Sequence, residues 1–263
     1  TRMNITLLDG QTWDREELIK KANDDDFYYN YLGRYAFSSS SLKHLLSSPK
    51  TYKHILEYGQ PDAQAFRDGW LAHAAVLQPD VFASQIFVNV QSKNTKKYKE
   101  AVKQYGKVFT LKEKHDAERL ADALLRNEMV LQKLNDSEFE QSEVFTLEHN
   151  GNPYPFRARA DILSNNCEMY DLKTTSSLNG WQYSADKFGY DIQCFLYCYG
   201  FDIPPENMGF IVIDKGSLDI GYAQVSEEFY LRGEAKVRRA LDIYEEWFMQ
   251  ETDLDQYYIN IEL

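Results

Sequence analysis

Apolar positions recur at helical spacing through the first half of the chain and alternate through much of the second. Ser38 to Ser41 precede Leu42, Leu45 and Leu46, so serine hydroxyls are placed to cap a helix that Pro49 stops. A second helix is expected from about Pro49, with Tyr52, Ile55 and Leu56 inward and Gly59 at its end. A third spans about Gln64 to Leu77 and stops before Pro79. Its apolar stripe is Phe66, Trp70, Ala74 and Leu77, with His73 on the same buried face. A further helical pattern covers about Lys112 to Leu134.

The period then changes from helix to strand. Glu143 to Leu147 alternates, His149-Asn150-Gly151-Asn152 is a tight turn, and Phe156 to Leu163 alternates again, which predicts a hairpin closed by Asn-Gly. Asn165-Asn166 makes another turn before a third strand, Glu168 to Thr174. A helix from about Tyr190 to Tyr199 follows, then strands at Phe210 to Ile213 and Asp219 to Val225. Ser226 caps a last helix with Val237, Leu241, Tyr244 and Phe248 inward. This order predicts an α/β or α+β core around a mixed sheet. With no internal repeat, low-complexity tract or Pro/Gly/Ser linker, a single domain over 1–263 is expected: a helical front (about 38–134), a core (about 139–225) and a C-terminal helix (about 226–250).

Composition narrows the classes. With 263 residues, 43% hydrophobic and 14% aromatic, the chain has material for a large core, which excludes general disorder. No run approaches the roughly 20 apolar residues of a membrane span. Thr1–Gly10 lacks a basic start followed by an apolar stretch, so no signal peptide is expected. Three cysteines, none in a CxxC, argue against a disulfide scaffold, a zinc ribbon or a four-cysteine cluster and fit a reducing, cytosolic setting. The net charge of −12 argues against a nucleic-acid coat or a membrane-surface protein, but not against a nucleic-acid enzyme. Lys93 to Arg119 carries nine basic and four acidic residues, a local +5. Two readings of the Lys93–Lys107 run stand: a solvated helix face, or a patch that contacts phosphates.

The candidate chemistry lies on the strands. Residues two apart share a face, so Asp171 and Lys173 point the same way, as do Arg157, Arg159 and Asp161. Glu143 shares its face with Phe145 and Leu147. If the strands are neighbours, Asp161 and Asp171 converge near Lys173. Two close carboxylates repel unless a cation sits between them; magnesium prefers oxygen ligands, and the Leu172 carbonyl offers one more. Lys173 is then placed to hold water or to offset charge on a phosphate. Gln193 and Tyr197 share one helix face, with Tyr190 one turn earlier. His73 follows Gly69 by four residues, and a histidine nitrogen facing the carboxylates completes a metal site.

These pieces occur in a characteristic order: Leu42-Lys43 and Ser48-Pro49 after a serine-rich helix start, Gly69-x-x-x-His73, Glu143, Arg159-Ala160-Asp161, Asp171-Leu172-Lys173-Thr174-Thr175, and Gln193-x-x-x-Tyr197. In this the chain resembles the PD-(D/E)XK nuclease superfamily, and within it the RecE-like exodeoxyribonuclease VIII and RecB-type nuclease domains. The resemblance implies a restriction-endonuclease-like α/β core, a central mixed sheet flanked by helices with a helical N-terminal part. It implies His73, Asp161, Asp171 and the Leu172 carbonyl as ligands of Mg2+, with Mn2+ as a substitute. It makes Lys173 the catalytic lysine, Glu143 an aid to the metal or water, and Gln193 and Tyr197 supports of the site and the DNA strand. Ser39, Ser41 and Lys43 are expected at a DNA phosphate near a helix N-terminus, and Arg157 and Arg159 beside the DNA. The implied activity is hydrolysis of linear double-stranded DNA from its ends, 5′ to 3′, in phage-type recombination. A ring of copies, an annealing recombinase as partner and the cytoplasm of a bacterium or phage-infected host complete the expectation. An endonuclease on the same fold and a non-catalytic DNA-binding or scaffold protein are the alternatives.

Overall fold

The computed structural model describes residues 3–263. In chain order the elements begin with β1 (Asn4–Thr6), β2 (Thr12–Asp14), α1 (Arg15–Lys21), a π-helical stretch at Phe27–Tyr31, α2 (Leu32–Tyr35), α3 (Ser39–Ser47), α4 (Pro49–Tyr58), α5 (Gln64–Leu77) and α6 (Pro79–Ala83). They continue with β3 (Phe87–Val88), α7 (Lys96–Tyr105), β4 (Phe109–Thr110), α8 (Leu111–Leu125) and α9 (Glu128–Leu134). The second half holds β5 (Ser137–His149), β6 (Asn152–Ser164), β7 (Met169–Thr175), α10 (Trp181–Lys187), α11 (Tyr190–Phe201), β8 (Met208–Asp214), β9 (Ile220–Gln224) and α12 (Glu227–Tyr244), which runs on as a π-helical stretch, Glu245–Met249.

Strands β5 to β9 form one five-stranded mixed sheet in sequence order. All neighbours are antiparallel except β7 and β8, which are parallel and joined through α10 and α11. Alternation along β8 assigns the two faces: Phe210 and Val212 pack with Cys194 and Cys198 of α11, whereas Ile211 and Ile213 pack with Ala72 of α5 and Leu124 of α8. Helices therefore cover both faces, and the strands they cover read as apolar runs. Among the described residues, no helix is long and apolar enough to cross a membrane.

The expected elements are present, with differences that have local causes. Ser38 caps α3, its hydroxyl accepting the Ser41 N–H and the Ser41 hydroxyl accepting the Ser38 N–H. The helical pattern from Lys112 to Leu134 is two helices, because the Asn127 side chain accepts the Val130 N–H and starts α9 afresh. The stripe expected on α5 is corrected at its start: Phe66 is exposed, and Arg67 is buried in its place. Its guanidinium is satisfied there by Glu113, through Nε to Oε2 and Nη2 to Oε1, both 2.9 Å, so pairing admits a charge to a core position.

The segment before Ser38 carries structure that the apolar pattern did not signal. Ile5, Leu7, Leu18, Tyr28 and Leu32 pack onto Val144 of β5. Tyr28 lies against β6, with the Arg157 and Arg159 guanidiniums 4.4 and 4.2 Å from its ring centre.

Candidate active site

The Asn150-Gly151 turn sets the register of the hairpin. Both turn residues have left-handed φ, +51° and +78°, as a two-residue hairpin loop requires. His149 pairs with Asn152, and the same register runs on to Gln141 with Ala160 and Phe139 with Ile162. Glu140 thus stands across from Asp161. That step of the ladder is not formed, and Glu140 itself has a left-handed φ of +53°. On the other side, β6 pairs with β7 only at Leu163–Met169 and Ile162–Tyr170. One step further along the same register Asp161 faces Asp171, where the two strands part. There β6 also changes face: Ala160 packs with Met169 and Cys194 on the α11 side, and Ile162 with Ala72 and Leu172 on the α5 side. Glu140, Asp161 and Asp171 therefore form one row of carboxylates across three strands, with Asp161 and Asp171 buried.

Two helices and β7 supply the partners. On α5, the His73 ring places Nε2 3.0 Å from Asp161 Oδ2 and Nδ1 2.7 Å from the Gly69 carbonyl oxygen. The Leu172 N–H donates to the same Asp161 oxygen at 2.8 Å. From α11, Gln193 Nε2 donates to Asp171 Oδ1 at 2.9 Å. Lys173 Nζ lies 2.8 Å from Asp171 Oδ2 and 4.4 Å from the centre of the Tyr190 ring, which steadies the ammonium by a cation–π contact.

The electrostatics follow from crowding. Burial, and then the Asp161 charge, push the Asp171 carboxyl up to about 6 despite Lys173. Burial and Asp161 raise Glu140 to about 7. Burial opposes the charged His73 ring, but the Asp161 carboxylate outweighs it and holds the ring at about 9. Asp161 stays below the usual carboxylate range, because His73, Lys173 and the Leu172 N–H together overcome its burial. Strongly perturbed groups of opposite sense at one place are a mark of functional sites.

The donor set fits a divalent cation. Asp171 Oδ2 is buried, and among the described residues the Lys173 ammonium, 2.8 Å away, is its one partner. Glu140 makes no hydrogen bond or ion pair among the described residues. The Gly69 carbonyl fixes the proton on Nδ1 and leaves Nε2 aimed at Asp161, which is how a histidine ligand is ordinarily oriented.

Other expected site residues lie elsewhere. Glu143 does not join the row: it is opposite Ala158, and Arg15 of α1 holds it, Nη2 to Oε1 at 2.5 Å, while Arg15 Nε donates to the Val144 carbonyl. Arg159 is held within the protein, donating to Asp25, the Ala22 carbonyl and Ser142. Arg157 lies against Tyr28 with its Nε buried and unpartnered. Ser41 is spent on the α3 cap, and Ser39 is half-buried in the first turn. Lys43 is close to the site: its side chain packs on Gly189 at the start of α11, and burial with the nearby Lys173 charge pulls it down to about 8. Tyr197 is half-buried, and burial followed by the charges of Tyr28, Asp171 and Asp161 raises its hydroxyl well above the ordinary value. Glu140 and the Tyr190 ring are the site groups that sequence reasoning left without a role. The register counted back from Asn150-Gly151 sets Glu140 opposite Asp161, but its left-handed step, which only the folded sheet shows, decides where it sits.

A family model described as a PDDEXK-like domain of unknown function (DUF3799) matches residues 38–253, most of the chain. The chain belongs to this PDDEXK-like family. Among solved structures it is similar to a protein described as "putative exonuclease" from Eubacterium rectale, with a TM-score of 0.62, 14% identity, and coverage of 91% of this chain and 95% of that one. It also matches a phage-related exonuclease from Haemophilus somnus, with a TM-score of 0.35 and 17% identity over 85% of this chain and 99% of that one. No curated protein sequence matches. The five-stranded mixed sheet between helices is thus the restriction-endonuclease-like nuclease fold.

Proposed function

We propose that this PDDEXK-like chain is a metal-dependent deoxyribonuclease that hydrolyses phosphodiester bonds of linear double-stranded DNA from its ends. The observation that carries the reading is the row of three carboxylates with Lys173 and His73 at its margin. Asp161, Asp171, His73 and the Leu172 carbonyl would hold Mg2+ or Mn2+. Such an ion supplies Lewis acidity at the phosphoryl oxygen and brings the pKa of a bound water towards neutrality.

The chain's own groups do the rest. Lys173 offsets charge that develops on the phosphate, acting from a half-buried position beside Asp171. Gln193 fixes the Asp171 carboxylate, and the Tyr190 face limits where the ammonium can go. Glu140, without a hydrogen-bond partner and beside Asp161, would add a carboxylate to the oxygen ligands of that ion. Ser39 and Lys43 on α3 would meet a backbone phosphate. Digestion from ends, with 5′ to 3′ polarity, a ring of copies and an annealing recombinase as partner, extends this reading through the resemblance to RecE-like enzymes; the Eubacterium rectale neighbour is likewise described as an exonuclease.

The test is a linear duplex labelled at either the 5′ or the 3′ end beside a closed circle of the same sequence, with and without magnesium. Loss of label from the linear duplex, with the circle intact and only when magnesium is present, is expected. Cutting of the circle would make the protein an endonuclease, and no magnesium-dependent hydrolysis of either would end the nuclease reading.

A further inference from the structure

A second cluster of metal-binding groups lies at the far end of the β5–β6 hairpin. His149 closes the ladder beside the Asn150-Gly151 turn and is 8% exposed, so its ring is fixed by the hairpin. Against it pack the last turn of α12 and the π-helical stretch that follows. Asp242 and Glu245 are three residues apart on one side of this helix. Asp242 Oδ1 is 2.6 Å from His149 Nε2, and Glu245 Oε1 is 4.0 Å from it. One ligand atom from each of the three residues lies within 4.8 Å of the others.

We infer that His149, Asp242 and Glu245 form a second metal site, for a transition-metal ion such as zinc or manganese, that ties the hairpin tip to the C-terminal helix. One imidazole with two carboxylates is a nitrogen–oxygen set of the kind that zinc and manganese accept. A fourth donor is at hand. Asn150 Nδ2 lies 3.2 Å from Asp242 Oδ1 and 3.2 and 3.3 Å from the two Glu245 oxygens. Turning that exposed amide over presents its oxygen to the same point. Asp242 is 59% exposed, so an ion has access from water and room for a water ligand. Arg238 sits on the other side of the ring, donating to the Glu148 carbonyl and 3.5 Å from His149 Nδ1. With metal on Nε2 the proton moves to Nδ1, and Arg238 rests on the Glu148 carbonyl alone.

The site is independent of the nuclease chemistry. Asp161 is nine residues beyond Asn152 on β6, about 30 Å at ~3.3 Å per residue. An ion held only by the folded chain stabilises it by mass action, and this one would fasten α12 where Tyr244 packs on Tyr154.

The experiment is a zinc titration by calorimetry on the chelator-stripped full chain, repeated with manganese, together with thermal melts. Wild type is expected to bind one zinc more than His149→Ala or Glu245→Gln and to melt several degrees higher with zinc, and Asp171→Asn is expected to bind one zinc more than the double variant Asp171→Asn with His149→Ala. Glu245→Gln guards against a loss caused by misfolding of the histidine variant, since it keeps the size and shape of the side chain. The same zinc stoichiometry and the same melting shift in wild type, His149→Ala and Glu245→Gln would overturn the inference, leaving a hydrogen-bonded clamp without metal.

Discussion

Asp161 and Asp171 face each other one step past the last hydrogen-bonded pair of β6 and β7, where the strands diverge. Divergence leaves Asp161 Oδ2 to the Leu172 N–H and His73, and leaves Asp171 Oδ2 to the Lys173 ammonium. The two carboxylates are thus near enough for the Asp161 charge to push the Asp171 carboxyl up.

Lys173 is the group whose loss should separate chemistry from binding. In Lys173→Met, hydrolysis should fall by about 10²–10³, the usual effect of removing one group aimed at developing charge, while affinity for a DNA duplex stays within a few-fold. Gel-shift and single-turnover rates on the same preparation check this. An unchanged rate would remove Lys173 from the catalytic role.

Glu140→Gln should leave the fold intact and raise the magnesium concentration needed for half-maximal activity about tenfold. The metal-free variant should melt no lower than wild type, since a like charge beside Asp161 is gone. Magnesium activation curves beside melts without metal read both, and an unaltered curve would return Glu140 to a bystander.

Stability without metal should fall as pH rises across the site's titration range. Unfolded, His73 titrates near 6.5 and Asp171 near 3.8; folded, they sit at about 9 and about 6. Both values are raised on folding, so each contributes stability that is complete below the unfolded value. The Asp171 share is lost as pH climbs to about 6 and the His73 share as it climbs to about 9, with a slope of at most ~1.4 kcal/mol per pH unit per proton. Melts across this range should show the upper step vanish in His73→Ala and the lower in Asp171→Asn, and saturating magnesium should flatten both. Identical profiles in all three proteins would contradict the coupling.

Glu143→Ala should cost stability of about 1–2 kcal/mol through the lost Arg15 pair and leave the hydrolysis rate within a few-fold of wild type. Denaturant unfolding and rate measurement decide between this and a role at the metal: a rate loss like that of an Asp171 variant would place Glu143 in the site after all.

Local signals were enough for much of this protein. The serine cap of α3, the Asn150-Gly151 turn, the alternation of β6 and the helix carrying Gln193 each depend on contacts a few residues apart, so the order of elements was open to reading from residues alone, while His73, Asp161, Asp171, Lys173 and Gln193 were named through the ordered motifs of the resemblance. Which acid completes the row was a different matter. Glu143 is claimed by Arg15, 128 residues away, and Arg159 by Asp25, 134 away. Spacing along the chain carries no trace of such partners. The left-handed step at Glu140 and the change of face at Asp161 depend on how β5, β6 and β7 twist and part once helices cover both sides of the sheet. Sequence periodicity decided the elements and the ordered motifs named the chemical groups; packing between distant segments decided which of those groups share one point in space.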